Sequence, residues 1–403
     1  MAKLRGAAVL DLSSFRPETV RGRAGFCRVG KTKAGQWWFL DAENRPFWLK
    51  AVAGGGDDEA ARARSWRVNT VTIPWNADVG AGQLMAMVDA DFGAAGAAVI
   101  RSHGVRLPDV FDGGWAAACE TRAAEVGRRW AGRSEVVGVF TDDALGWGEP
   151  RAGRPSLLQV CLSLEPRFAA YHSTWEFVLA QHGGDFGALT RAWGVDWVNR
   201  EGVRRRTVAD EALASAGYLR DQDRFAREFA RRYFTTTAEA LRRHDPDHLV
   251  LGCRFAQPPG AAVLAECGYP RVDVVSWRCG AEEWAAGARG YLKTDTNPQL
   301  LTGFVLGEER ARAVPVEGRG GPTRLERRLR DGRRALMAAC EHPGVVGYEW
   351  ARWADGEDDQ PPFGKGLVHV DGREALENTE LVAQVNARAE RLRAAKAGLS
   401  LIK

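Results

Sequence analysis

The sequence predicts an α/β protein, a (β/α)8 TIM barrel carrying an N-terminal β-hairpin and a long helical insertion after its fourth strand. Three observations carry that prediction. Eight short apolar runs alternate with helix-period segments along the 403 residues, the pattern of parallel strands covered by helices. No 20–50-residue repeat interrupts the alternation. No phosphate-binding glycine loop follows the first strand: the run Ala53–Asp58 (AGGGDD) lacks the GxGxxG spacing and continues into acids that repel phosphate. The length suits one large barrel with insertions, divided as an arm and hairpin over 1–45 and a barrel over 46–403.

In chain order, the Arg/Gly/Ser-rich residues 1–25 are expected to wrap the surface. Trp37–Leu40 and Pro46–Val52, joined by the turn-prone DAENR, read as a hairpin leading into strand one. Asp57–Trp66 reads as helix, Asn69–Trp75 as strand two, and Gln83–His103 as an amphipathic helix. Gly104–Asp112 (GVRLPDVFD) is the expected third strand, followed by a helix over Trp115–Trp130. Val136, Val137, Val139 and Phe140 form a β-rich run for a buried fourth strand. The mostly helical insertion spans about 150–243. Strands five to eight are read at His248–Phe255, Val272–Trp277, Leu300–Gly307 and Gly344–Trp350, with helices at Thr323–Cys340 and Glu374–Ala394.

Composition narrows the function classes. Hydrophobic content of 45%, charged content of 27% and a net charge of +4 are those of an ordinary globular protein. The arginines alternate with acids on helices, as in RRLRDGRR, so no nucleic-acid-binding patch is expected. Seven cysteines lie far apart without a CxxC pair, which favours reduced thiols. No signal-peptide pattern and no membrane-length apolar run is present, so a cytoplasmic setting and no membrane partner are expected. His103, His172 and His182 have no metal-ligand spacing, and no GxSxG occurs; neither a metal nor a cofactor is expected.

Chemistry is expected where barrel strands end, because the C-terminal rim forms the active face of such barrels. Strand four runs into Asp142, Asp143, Ala144 and, just beyond, Trp147; strand seven runs into Glu308. Helix capping is the plain alternative for such acids. Carboxylates from strands distant in sequence converge on one rim, and retaining glycoside hydrolysis needs two of them about 5–5.5 Å apart.

The ordered pieces GQWWFLDAENRPFWLKAV, VVGVFTDDALGWG, HDPDHLVLGCRF, VDVVSW, FVLGEERARAVP with GRGGP, and HPGVVGYEWARWAD resemble the agarase-like retaining glycoside hydrolases over about residues 35–381. The resemblance implies an acid/base glutamate after strand four and a nucleophile after strand seven. Glu308 matches the nucleophile. The family's F-x-D-N-E-L stands here as Phe140-Thr141-Asp142-Asp143-Ala144-Leu145, so Ala144 occupies the acid/base position and Asp143 that of a sugar-contacting asparagine. An alternative alignment sets Gly303 at the nucleophile position and removes both carboxylates; the ungapped downstream match favours Glu308.

Alanine cannot donate a proton, and losing general acid–base help typically costs about 10²–10⁴-fold in rate. Three readings follow: a Glu→Ala change in an otherwise active double-displacement hydrolase, which leads; a sugar-binding barrel without catalysis; or transfer of the acid role to Asp142, Asp143 or Glu149. The expected partner is an oligo- or polysaccharide. Candidate sugar contacts are Trp350 as a stacking floor, Arg254 through its planar fork, and Trp147, Trp75, Asn76, Asp112 and Asp355.

Overall fold

The computed structural model describes residues 12–55, 59–77, 84–147, 155–205, 215–257, 259–285, 297–306, 323–359 and 362–396. Three short strands, β1 (Arg28–Lys31), β2 (Trp37–Leu40) and β3 (Pro46–Phe47), make an antiparallel sheet in the order β1-β2-β3. The expected hairpin is its β2–β3 half. Eight parallel strands then form a nearly closed barrel: β4 (Leu49–Ala53), β5 (Thr70–Pro74), β6 (Met85–Asp89), β9 (Val136–Asp143), β10 (Leu249–Arg254), β11 (Val275–Arg278), β12 (Gln299–Phe304) and β13 (Val345–Trp350). The remaining seam, between β10 and β11, is bridged at Phe255 and Trp277, where Phe255 N–H donates to the Ser276 carbonyl at 3.1 Å.

Helices surround the barrel. They are α1 (Ala60–Ser65), α2 (Trp115–Trp130), the insertion helices α3 (Leu157–Leu162), α4 (Ala169–Ala180), α5 (Phe186–Trp193), α6 (Arg200–Arg205) and α7 (Ala216–His244), then α8 (Ala261–Leu264), α9 (Ala281–Ala285), α10 (Arg324–Glu341) and α11 (Leu376–Lys396). Start signals in the sequence are met locally: Thr323 and Glu326 close a reciprocal capping box on α10, and Ser215 caps α7. Among the described residues no helix is long and apolar enough to cross a membrane.

The third strand is where sequence reading and structure part. Residues 85–89 form β6 and not part of a helix, while β7 (Val99–Ser102) and β8 (Val105–Pro108) pair with each other in a separate antiparallel hairpin. The MAMVD run is short and flanked by barrel strands on both sides, and such a run has no periodicity that separates strand from helix. The hairpin turns at His103 and Gly104, whose φ values of 51° and 81° fit a two-residue turn with both central residues left-handed. Strand seven also ends early, at Phe304 and not at Gly307.

Two hydrophobic clusters hold the layers. One gathers lumen residues such as Leu49, Met87, Val137, Leu249, Leu300 and Val346 with Val29, Trp37, Phe39 and Phe47, so the small sheet packs onto the barrel interior as a floor. The other lies between barrel and helices and includes an aromatic group from α7 around Trp147. Close strand packing needs glycine at Gly347, where an added Cβ would meet the Leu49 carbonyl oxygen at 2.5 Å.

Candidate functional site at the barrel mouth

The site is built on Arg254, the last residue of β10. Its side chain is only 8% exposed and meets three strand ends at once. One Nη pairs with Asp89 of β6, the other reaches Glu349 Oε1 of β13 at 3.2 Å, and Nε lies 3.3 Å from Asp143 Oδ1 of β9. The Asp143 contact is an ion pair without hydrogen-bond alignment. The guanidinium also lies 4.7 Å from the centroid of the Phe140 ring. A fixed planar fork suits this arrangement, because one flat cation can face several carboxylates.

The surrounding electrostatics follow from burial. Asp89 is held above the usual carboxylate range by desolvation, which outweighs the pull of Arg254; the Asp143 charge pushes the same way as burial. Burial works to lower the Arg254 pKa, but Glu349, Asp89 and Asp143 together raise it beyond the ordinary arginine value. Glu349 is also fixed by the Gly303 N–H, which donates to Oε2 at 3.1 Å. Asp143 receives a second cation: Arg278 Nη2 of β11 sits 2.7 Å from its Oδ2. Within this group Asp143 and Arg278 face solvent most, with side-chain exposures of 34% and 45%.

Two backbone features frame them. Ala144 takes the left-handed conformation at φ 52°, unusual for a residue with a Cβ, and its N–H donates to the Arg254 carbonyl at 2.8 Å. Gly303, near the end of β12, has φ 59°, and an added Cβ would meet Arg278 Cγ at 3.3 Å. The mouth therefore brings Ala144, Asp143, Arg254, Arg278, Gly303 and Glu349 together. Glu308 and Glu149 lie outside the described residues.

Other candidates are placed elsewhere. Asp142 is buried and faces α7: it accepts hydrogen bonds from the Tyr233 hydroxyl and from Gly93 N–H, and burial raises its pKa well above the usual value. Trp350 is not a stacking floor in this structure; it is 0% exposed and its Nε1 donates to the Lys365 carbonyl. Trp147 is likewise a core residue, stacked on Phe234 at 5.4 Å. Asp355 ties its loop together through Gly366 N–H and His369 Nδ1, and Asp112 accepts from Gly114 N–H ahead of α2. Trp75 is half-buried beneath the Arg122 guanidinium at 4.6 Å, and Asn76 is exposed beside it.

Asp89, Glu349 and Arg278 were not among the residues singled out from the sequence. Asp89 was hidden by the helical reading of 83–103. Glu349 directly precedes Trp350, the more conspicuous residue of that strand end, and Arg278 lies one residue past the expected end of strand six. Among the described residues no group of three or more His, Cys, Asp or Glu side chains is arranged to hold a metal ion. Three described carboxylates of the mouth meet on a guanidinium instead.

No family model matches the chain. The chain is 26% identical over 263 residues to Beta-agarase A of Vibrio sp. (strain JT0107), covering 62% of this chain and 26% of that protein. The match thus spans about a quarter of the relative's length. Among solved structures, an agarase, AgWH50C, superposes with a TM-score of 0.73 at 16% identity, covering 96% of this chain and 68% of the other. An exo-beta-agarase does so with a TM-score of 0.71 at 14% identity, covering 93% and 66%. The relatives are glycoside hydrolases, and the chain is agarase-like on both sequence and fold.

Proposed function

We propose that this chain is a saccharide-binding barrel on an agarase-type glycoside hydrolase scaffold, with the double-displacement machinery interrupted at both ends. The single observation that carries the reading is Gly303 beside Arg278 and Asp143 near the C-terminal end of the seventh strand. With Gly303 there and Ala144 after the fourth strand, the mouth lacks a carboxyl group at either position. Double displacement needs one to protonate the leaving oxygen and another to form the glycosyl ester. The mouth carboxylates among the described residues are engaged: Glu349 and Asp89 are tied to Arg254, and Asp143 is shared between Arg254 and Arg278. Half-buried Asp143 and exposed Arg278 offer an acceptor and donors to sugar hydroxyls. The ligand class suggested by the relatives is an agar-type galactan oligosaccharide.

A second reading is a retaining hydrolase with Glu308 as nucleophile and a glutamate restored at position 144. The ungapped run FVLGEERARAVP…GRGGP supports it. The two readings separate in one experiment. Titration calorimetry with neutral agar oligosaccharides is expected to give binding, and reducing-end assays no turnover, for both the unaltered protein and Ala144→Glu. Glutamate shares alanine's Cβ, so the left-handed backbone at 144 costs the variant little more than it costs the parent. Hydrolysis by Ala144→Glu, with glycosyl azide formed by the Ala144 protein from an activated aryl glycoside, whose phenolate leaves without a proton, in added azide, overturns the binding-only reading in favour of Glu308.

A further inference from the structure

The space above Gly303 is where a seventh-strand side chain would point into the mouth. Two side chains from the flanking strands border it. From β13, Glu349 reaches over to the Gly303 N–H at 3.1 Å and holds Arg254 at 3.2 Å, at 1% exposure for the whole residue. From β11, Arg278 runs across the glycine: a Cβ on residue 303 would lie 3.3 Å from its Cγ and 3.5 Å from its Cδ. The arginine's far end then meets Asp143 on the fourth strand at 2.7 Å. The left-handed φ of 59° at Gly303 further restricts the position to glycine.

Resting on the binding reading above, we propose that Arg278 is the ligand-contacting residue that sets specificity for a neutral saccharide, and that Gly303 is glycine so that Arg278 can span the mouth. Charge selects the ligand class. Among the described residues the mouth cations are Arg254 and Arg278; Arg254 faces Asp89, Asp143 and Glu349, and Arg278 faces Asp143. Three carboxyl groups around two guanidinium groups leave no excess positive charge among the described mouth residues to favour a sulfate or uronate. Arg278 is nevertheless 45% exposed, and only one of its five N–H donors is used on Asp143 in this contact. Its remaining donors, beside an acceptor carboxylate, suit the vicinal hydroxyls of an uncharged sugar. Arg254, buried and surrounded, supports the floor and does not touch the ligand.

The test is a double-mutant cycle on binding, using neoagarohexaose as the neutral probe and a sulfated galactan hexasaccharide as the charged one. Arg278→Ala removes charged hydrogen bonds and is expected to weaken neoagarohexaose binding by about 10–100-fold. Gly303→Ala is expected to weaken it through displacement of Arg278. The double variant should bind no worse than Arg278→Ala alone, because the glycine acts through the arginine. Thermal unfolding of each variant separates loss of the seat from loss of the fold: Arg278→Ala, at an exposed position, should melt with the parent.

Unchanged neoagarohexaose binding by a folded Arg278→Ala, additive losses in the double variant, or preference of the parent for the sulfated probe would each overturn this inference while leaving the binding reading intact. Absence of any saccharide binding by the unaltered protein would instead overturn both.

Discussion

Removing the cation at the centre of the mouth gives the sharpest test of how the barrel is held together. In Arg254→Met the packing stem is kept and the guanidinium is lost, leaving Glu349 and Asp89 with side-chain exposures of only 2% and 16% and no cation against them. Deleting one partner of a buried ion pair typically costs about 3–5 kcal/mol. Asp143, one-third exposed and still paired with Arg278, adds little because solvent screens it. The cost is limited by protonation, which sets its pH dependence. Burial already holds the Asp89 pKa above the ordinary carboxylate value against the pull of Arg254, and without the guanidinium it rises further. Stability from a group whose folded pKa is raised is fully present below the unfolded pKa and lost as pH rises through the folded one. The deficit of Arg254→Met relative to the parent should therefore be full near pH 8. On acidification it should shrink by about 1.4 kcal/mol per pH unit where Asp89 is protonated in the folded variant and still ionised in the folded parent. Urea unfolding followed by tryptophan fluorescence at pH 5 and pH 8 measures both quantities. A deficit under about 1 kcal/mol at pH 8, typical of a surface pair, or one equal at the two pH values, would refute the account. Arg254→Lys should fall between, because a point charge cannot face carboxylates from three strands together.

Two further predictions concern the layers around the site. Tyr233→Phe removes the hydroxyl that donates to buried Asp142, and should destabilise by about 1–3 kcal/mol. Because burial already raises the Asp142 pKa, the loss should deepen as pH rises, which thermal scans at pH 5 and pH 8 would reveal. Gly347→Ala drives a Cβ to 2.5 Å from the Leu49 carbonyl, where the strands leave no room, and should destabilise by about 1–3 kcal/mol. A melting temperature unchanged in Gly347→Ala would show that β13 can shift away from β4 at no cost.

Much of the barrel was legible in the amino-acid order. Runs such as VVGVF and VVGYEW are apolar, β-branched and bounded by turns, so seven of the eight strands and the exact limits of α2 follow from local pattern. The third strand did not, because MAMVD is rich in helix-forming residues and becomes a strand through its neighbours β5 and β9. The same division holds at the site. Residue types at strand ends pointed to Asp143 and Arg254, since a barrel delivers its strand ends to one rim whatever their separation in sequence, and the family resemblance pointed to the alanine at 144. Only the tertiary structure sorted them: it turned Asp142 outward to Tyr233, buried Trp350 and Trp147, and brought Asp89, Glu349 and Arg278 around Arg254 and Gly303. Which face a side chain takes, and which distant charge it meets, depends on strand register and barrel closure, and those are set by contacts among residues far apart in the chain.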